Sequence, residues 1–149
     1  MAISFYSTKD KYGEFSNFSD YGIEMEGKWY PTSEHYFQSA KFLDEAYREK
    51  IREVKSPMVA ARLGRSREFK LRDDWEEIKI DVMRSAVRQK FMGHVQLRDL
   101  LLSTGDEEIV EAAAGDYFWG SGEDGSGSNW LGRILMEVRE ELRLNQFKM

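Results

Sequence analysis

The chain has 149 residues, 41% hydrophobic and 13% aromatic, which suits one domain with a buried core and argues against disorder. Lys and Arg total 22 and Asp and Glu 27, a net charge of -5 that argues against a broad nucleic-acid coat or an anionic membrane surface while leaving room for a local basic pocket. With no cysteine, and with His35 and His94 as the two histidines, disulfides, thiolate zinc sites, cysteine nucleophiles and three-histidine metal centres are excluded.

In chain order, residues 3–6 read as a short strand. Residues 22–30 alternate loosely, with Ile23, Met25 and Trp29 apolar and Glu24, Glu26 and Lys28 between them. Glu26, Gly27 and Lys28 supply a turn, so a hairpin is expected. Pro31, Thr32, Ser33 and Glu34 mark a helix start: Pro, hydroxyl residues, then an acid at the positive end of the dipole. Residues 44–54 are charged and read as a mostly solvated helix. Ser56 followed by Pro57 starts another, running toward Leu63 and Gly64. Asp73 or Asp74 caps a long helix whose Ile78, Val82, Met83, Ala86, Val87 and Phe91 recur at helical spacing. Within it, Lys90 beside Phe91 reads as a snorkelling lysine next to a core aromatic. A short helix over 95–102 stops at Thr104 and Gly105. Ile109 and Val110, with 112–114, read as a short strand or a buried run. Residues 120–127 form a glycine and serine loop, and Asn129 precedes a last helix carrying Leu131, Ile134, Leu135, Val138 and Leu142. Helices dominate over a small sheet drawn from the N-terminal third, an α+β class. One domain over 1–144 is expected, with 145–149 fraying. The first six residues lack a basic region followed by an apolar stretch, and no run approaches a membrane span, so a cytoplasmic protein is expected.

Four constellations can carry chemistry. Glu34, Gln38 and Lys41 lie at i, i+4 and i+7, on one face of a helix at 3.6 residues per turn. They read either as a solvated face with an ion pair or as a pocket wall with an acid and an amine poised together. Phe15, Ser16, Asn17 and Phe18 place small polar residues between aromatics, as ligand pockets require, or form a turn held by Asn17. Arg62, Arg65 and Arg67 around Gly64 resemble a phosphate-reading corner, or simply favour the negative end of a helix dipole. Asp116 before Tyr117, Phe118, Trp119 and Gly120, with Gly122, Gly125, Gly127 and Asn129 beyond, reads as a carboxylate in a stacking cleft or as a surface turn beside core aromatics. Trp75, after Asp73 and Asp74, is a buried anchor or a base-stacking platform. The glycine run matches neither a Walker loop nor Rossmann spacing, and no Ser-His-Asp order, HExxH or paired-cysteine motif stands out, so proteolysis and metal hydrolysis have little support.

Together these residues resemble one family. The run from Tyr12 through Gly13, Glu14, Phe15, Ser16 and Asn17 to Phe18 is similar to the NADAR (NAD- and ADP-ribose-associated) family. So is the run Trp29, Tyr30, Pro31, Thr32, Ser33, Glu34, His35, Tyr36, Phe37 and Gln38, with Lys41 and Phe42 after it. The likeness continues through Gly64 and Arg65, then Arg72, Asp73, Asp74 and Trp75, then Lys90 and Phe91. It ends on Asp116, Trp119, Gly120, Gly122, Asn129, Leu131 and Gly132. It spans nearly the whole chain in order. The resemblance implies an N-glycosidase of mainly helical α+β fold that cleaves the bond between ribose C1′ and a nitrogen. Its implied substrates are phosphoribosylamino-pyrimidine intermediates of riboflavin synthesis, or ADP-ribose on guanine in a nucleotide or a transient single strand. Glu34, Trp75 and Asp116 match positions regarded as catalytic in the family, and Lys41 matches a lysine expected to take part. Substrate contacts are expected from Ser16, Asn17 and Phe18, from His35 beside the acid, from Gly64 and Arg65, and from Trp119, Gly120, Gly122 and Asn129. No metal and no cofactor enter this expectation.

Breaking a C–N glycosidic bond builds positive charge on ribose, which a carboxylate stabilises while a protonated group helps the base depart. Glu34 and Asp116 are the candidates for those tasks. An amine of lowered pKa at Lys41 opens a second route, attack on C1′ to give a Schiff base. The competing class is a non-catalytic module that binds ADP-ribose or NAD.

Overall fold

The computed structural model describes residues 2–148, with side chains as far as 145. The element order is β1 (Ala2–Phe5), a 3-10 turn (Gly13–Phe15), β2 (Ile23–Met25), β3 (Lys28–Tyr30), α1 (Ser33–Ser39), α2 (Glu45–Glu53), α3 (Pro57–Arg65), α4 (Trp75–Gly93), α5 (Val95–Ser103), β4 (Glu108–Glu111) and α6 (Trp130–Lys148). Helices outweigh two small two-stranded sheets, the mainly helical α+β arrangement expected. No described helix is long and apolar enough to cross a membrane. The chain divides into two compact units. One holds Met1–Ser19 and Phe91–Met149, the other Asp20–Lys90.

In the first unit β1 pairs parallel with β4, Ala2 opposite Glu108 and Phe5 opposite Glu111. Alternation in β1 sends Ile3 and Phe5 inward. Phe5 meets Phe15 edge-on at 5.9 Å between ring centroids, and Phe15 meets Phe91 at 5.7 Å. Leu131, Ile134, Leu135 and Val138 recur at i, i+3, i+4 and i+7 and are all buried, so α6 turns one apolar stripe inward. This stripe helix packs on β4 and α5, whose Leu97 and Leu101 are buried too. Each such aliphatic residue contributes about 1.5–3 kcal/mol by leaving water. The run at Ile109 is therefore strand β4, which stops before Ala112. The last helix continues through 145–148, where fraying is expected from the sequence; Met149 lies outside the described residues.

In the second unit β2 and β3 form a hairpin with Ile23 opposite Tyr30. Glu26 and Gly27 both have positive φ, 54° and 79°, as a two-residue type I′ turn demands. That turn shifts the alternation, so Tyr30 faces the core and Trp29, grouped with Ile23 and Met25 on sequence, is 56% exposed. Each of the next three helices has a capped start. The Thr32 hydroxyl accepts from the His35 N–H, the Asp44 carboxylate from Tyr47, and Ser56 Oγ from Met58 ahead of Pro57 at the first helical turn. The Asp74 carbonyl accepts the first bonds of α4, from Glu77 and Ile78. One core cluster joins Ile23, Tyr30, Tyr36 and Ala86, and a second joins Phe42, Tyr47, Ile51 and Ala60. The Tyr47 hydroxyl donates to the Leu63 carbonyl at 2.6 Å, tying α2 to α3.

Two local expectations need correction. Helix α1 ends at Ser39 and Ala40 is its cap, so Lys41 lies just beyond the helix rather than on its face. There the bonds tighten from i−4 to i−3, Lys41 to the Gln38 carbonyl and Phe42 to that of Ser39. Lys90 does not snorkel. It is 1% exposed, because it shares the inward face of α4 with Ala86 and Val87 one turn earlier.

Candidate functional site

The cap of α1 fixes the residues that follow it. The Val54 carbonyl can only accept, so the 2.8 Å contact from His35 Nε2 requires a proton on that nitrogen. His35 Nδ1 then accepts from the Thr32 hydroxyl, also at 2.8 Å. The imidazole is fully buried, and burial holds its pKa below the ordinary value. It is a neutral bracket between the start of α1 and the end of α2, with both ring nitrogens engaged by protein.

One residue earlier, Glu34 is 8% exposed, and Gln38, one turn on, is 7% exposed. The solvated-face reading of this stripe is thereby excluded. Gln38 Nε2 donates to Glu34 Oε2 at 2.6 Å. Helix α3 lies directly behind. A Cβ on Gly64 would overlap Gln38 Oε1 and stand 2.7 Å from its Cδ, so any larger residue here must displace the Gln38 amide.

Lys41 lies beyond the helix end with its Nζ 5.7 Å from the centre of the Phe37 ring. Phe37 in turn packs on Trp75 at 5.1 Å and 59°, and Trp75, the first residue of α4, is 5% exposed. The Lys41 amine is pushed down to about 8, chiefly by burial. Glu34 pulls the other way, and Arg67, Arg65 and Lys79 add to the depression. A buried carboxylate, a softened amine and three further cations therefore share one electrostatic neighbourhood against an aromatic wall. Arg67 also donates to the Gly64 carbonyl at 2.9 Å, closing the end of α3. In this unit the structure brings together Glu34, Lys41, Gly64, Arg65 and Trp75 from the expected set. It joins to them Gln38 from the Glu34 stripe and Arg67 from the arginine corner, and adds Phe37 and Lys79. Their signals were present in the sequence: Gln38 is i+4 from Glu34, and Lys79 is i+4 from Trp75.

In the first unit the 16–19 turn is held by its own hydroxyls. Ser16 Oγ accepts from the Phe18 N–H, and Ser19 Oγ donates to the Ser16 carbonyl at 2.8 Å. Ser16 and Asn17 are buried and Phe18 is exposed. Asp116 Oδ1 accepts from the N–H groups of Phe118 and Trp119, at 3.0 and 2.8 Å, which organises the aromatic turn. The glycine loop closes on itself. Ser128 donates to the Tyr117 carbonyl, Asn129 to that of Gly120 and Leu131 to that of Trp119. Gly122 has φ 72°, and its α-carbon lies under the Tyr117 ring. Both ends of the Asn129 amide are engaged by β4. Oδ1 accepts from the Glu111 N–H and Nδ2 donates to the Ile109 carbonyl, each at 2.9 Å.

The chemistry available around Glu34 and Lys41 is stabilisation of a growing cation, proton delivery, and nucleophilic attack by an amine that is partly neutral near neutral pH. A family model described as NADAR domain matches residues 4–143. The chain is 56% identical over 144 residues to N-glycosidase YbiA of Escherichia coli (strain K12), covering 97% of this chain and 90% of that protein. It is 44% identical over 141 residues to riboflavin biosynthesis protein VVA0006 of Vibrio vulnificus (strain YJ016), covering 95% of this chain and 38% of that longer protein. The NMR structure of the E. coli protein YbiA matches with a TM-score of 0.92 at 54% identity, over 99% of this chain and 88% of that one.

Proposed function

Because the chain belongs to the NADAR domain family and is an N-glycosidase, we propose that it hydrolyses the ribose C1′–N bond of a phosphoribosylamino-pyrimidine of riboflavin synthesis. The observation that carries this reading is the placement of buried Glu34 beside the softened amine of Lys41, with Arg65, Arg67 and Lys79 around them. Cations so grouped suit a substrate that brings a phosphate. The likeness to a protein named for riboflavin biosynthesis supports the pyrimidine as the leaving group.

In this reading the C1′–N bond breaks with its electron pair going to nitrogen. Glu34 offsets the positive charge that spreads over C1′ and the ring oxygen. The departing nitrogen takes a proton, and water supplies hydroxide to C1′, giving ribose 5-phosphate and the free amine. In the covalent variant neutral Lys41 attacks C1′ as the C1′–N bond breaks with its electron pair going to the departing nitrogen, which takes a proton. The new ammonium passes a proton to the ring oxygen as the ring opens to an imine, and water then hydrolyses the imine to free Lys41 and ribose 5-phosphate. Phe37, backed by Trp75, is the flat apolar wall beside which a base lies.

The test is a turnover assay read by mass spectrometry, with the phosphoribosylamino-pyrimidine and ADP-ribosylated guanine offered separately. Ribose 5-phosphate from the first is expected. ADP-ribose from the second alone would move the substrate to the nucleotide class, and absence of both products would overturn the reading. Glu34→Gln separates enzyme from reader, since an enzyme loses turnover while ligand still raises its melting temperature. Borohydride trapping in the wild type, absent in Lys41→Ala, identifies the covalent route.

A further inference from the structure

We propose that Gln38 is a positioning residue for Glu34: its side-chain amide fixes one carboxylate oxygen, and Gly64 is glycine so that the amide can lie there. The inference rests on the reading of Glu34 as the group that meets charge on ribose.

A carboxylate only accepts, so the amide nitrogen of Gln38 faces Glu34 and the amide oxygen faces away. The 2.6 Å separation is shorter than an ordinary N–H···O bond, in the direction that a charged acceptor favours. The opposite end of the amide is the telling one. Gln38 Oε1 is buried without a hydrogen-bond partner among the described residues. Such an acceptor is unfavourable, and a glutamine with rotational freedom turns to satisfy it. The backbone of α3 passes close on that side of the amide. At Gly64 even a methyl group would overlap Oε1 and stand 3.2 Å from Gln38 Cβ. The amide thus keeps a buried oxygen without a partner among the described residues while its nitrogen holds Glu34. A carboxylate gripped through one oxygen has its plane set before substrate arrives, which is where preorganised electrostatics gains its advantage. Glu34 acts electrostatically on Lys41 after α1, and Arg65 and Arg67 at the end of α3 and Lys79 on α4 act on that same amine.

The variant is Gln38→Met, of similar volume but without a donor. Its kcat should fall about 10- to 100-fold with KM within about threefold, the loss expected when a supporting partner is removed from a catalytic group. The low-pH limb of kcat should move to higher pH, because a donor to the ionised carboxylate is gone. Gln38→Glu regains a donor only when that new carboxyl is protonated, so its activity should recover toward low pH. Wild-type kcat and an unmoved limb in Gln38→Met would overturn the inference, as would a loss that merely tracks the unfolded fraction. Should the variant fold poorly, NMR on the unaltered protein decides. The Gln38 side-chain NH2 resonances should titrate with one carboxylate, and that step should vanish in Glu34→Gln; an amide that does not titrate sinks the idea. Loss of activity in Glu34→Gln with full activity in Gln38→Met fails this inference alone, whereas full activity in Glu34→Gln fails both it and the reading beneath it.

Discussion

Gly64→Ala places a methyl group where the structure has no room for one. The new Cβ would overlap Gln38 Oε1 and lie 2.7 Å from Cδ, so the glutamine must leave its rotamer and its bond to Glu34. Overpacking of this kind costs about 1–3 kcal/mol. Losing a hydrogen bond to a charged group costs about 1.5–3 kcal/mol. Helix α3 regains about 1 kcal/mol, since alanine is the better helix former inside Pro57–Arg65. The net expectation is a destabilisation of about 1.5–5 kcal/mol, a fall in melting temperature of roughly 3–20 °C for a chain of this size. Thermal and urea unfolding measure it. The control is the same change in a Gln38→Ala background, where Oε1 and Cδ are gone and only the Cβ contact at 3.2 Å remains, so Gly64→Ala should cost clearly less there than in the wild type. An unchanged or raised melting temperature in the single variant, or an equal loss in both backgrounds, would refute the reasoning.

On the covalent route Lys41→Met should abolish turnover, and on either route it should stabilise the fold near pH 7. The folded state holds the Lys41 amine at about 8 against an ordinary value of 10.5, so its charged form is disfavoured on folding. That penalty is present below pH 8 and fades between about 8 and 10.5, so urea midpoints of variant and wild type should converge across that window. His35→Gln tests the neutral bracket. The folded imidazole resists a proton that the unfolded chain accepts, so wild-type stability should fall as pH drops below 6.5 while the variant's falls less. At pH 7.5 the variant should be less stable by about 1–3 kcal/mol per bond left unmade, a difference that denaturant titration at several pH values resolves. Asn129→Ala should cost about 2–4 kcal/mol from two lost bonds to β4 and a left-handed backbone at φ 53°. Asn129→Gly removes the backbone part, so the two variants should differ by about 1 kcal/mol in calorimetry.

Helix starts were the most legible part of the sequence, because a cap is a local device. Thr32, Asp44, Ser56 with Pro57, and Asp74 each sit where the residue types put them. The hairpin was legible for the same reason, although its two-residue turn exchanged Trp29 for Tyr30 on the inner face. The parallel pairing of β1 with β4 carries no local signal. It depends on Ile3 and Ile109 finding each other across most of the chain, and periodicity within either run is silent about that. At the candidate site, spacing alone left Glu34 and Gln38 open between water and core. Their burial follows from α3 closing over them at Gly64, a long-range contact. The family likeness named Glu34 and Lys41, but the arginines and Lys79 that set the amine's pKa act through space from other elements.

The connectivity of the two units has a consequence for the order of folding. Asp20–Lys90 is one uninterrupted stretch, and its elements are all near neighbours along the chain. The other unit is assembled from two separated pieces, and Ala2 must wait for Glu108. Closing a loop of roughly 100 residues costs about 4 kcal/mol in chain entropy before β1 gains its partner. The inserted stretch can shorten that search, because ordering it replaces a long flexible tether with a compact one. On a ribosome, β1 would emerge well before β4 and be among the last of these elements to pair. Its inward Ile3 and Phe5 would stay unsheltered through that interval. Pulsed hydrogen exchange during refolding should accordingly protect the amides of α1 to α3 ahead of those in β1. Simultaneous protection of both would point to a single nucleus spanning the chain.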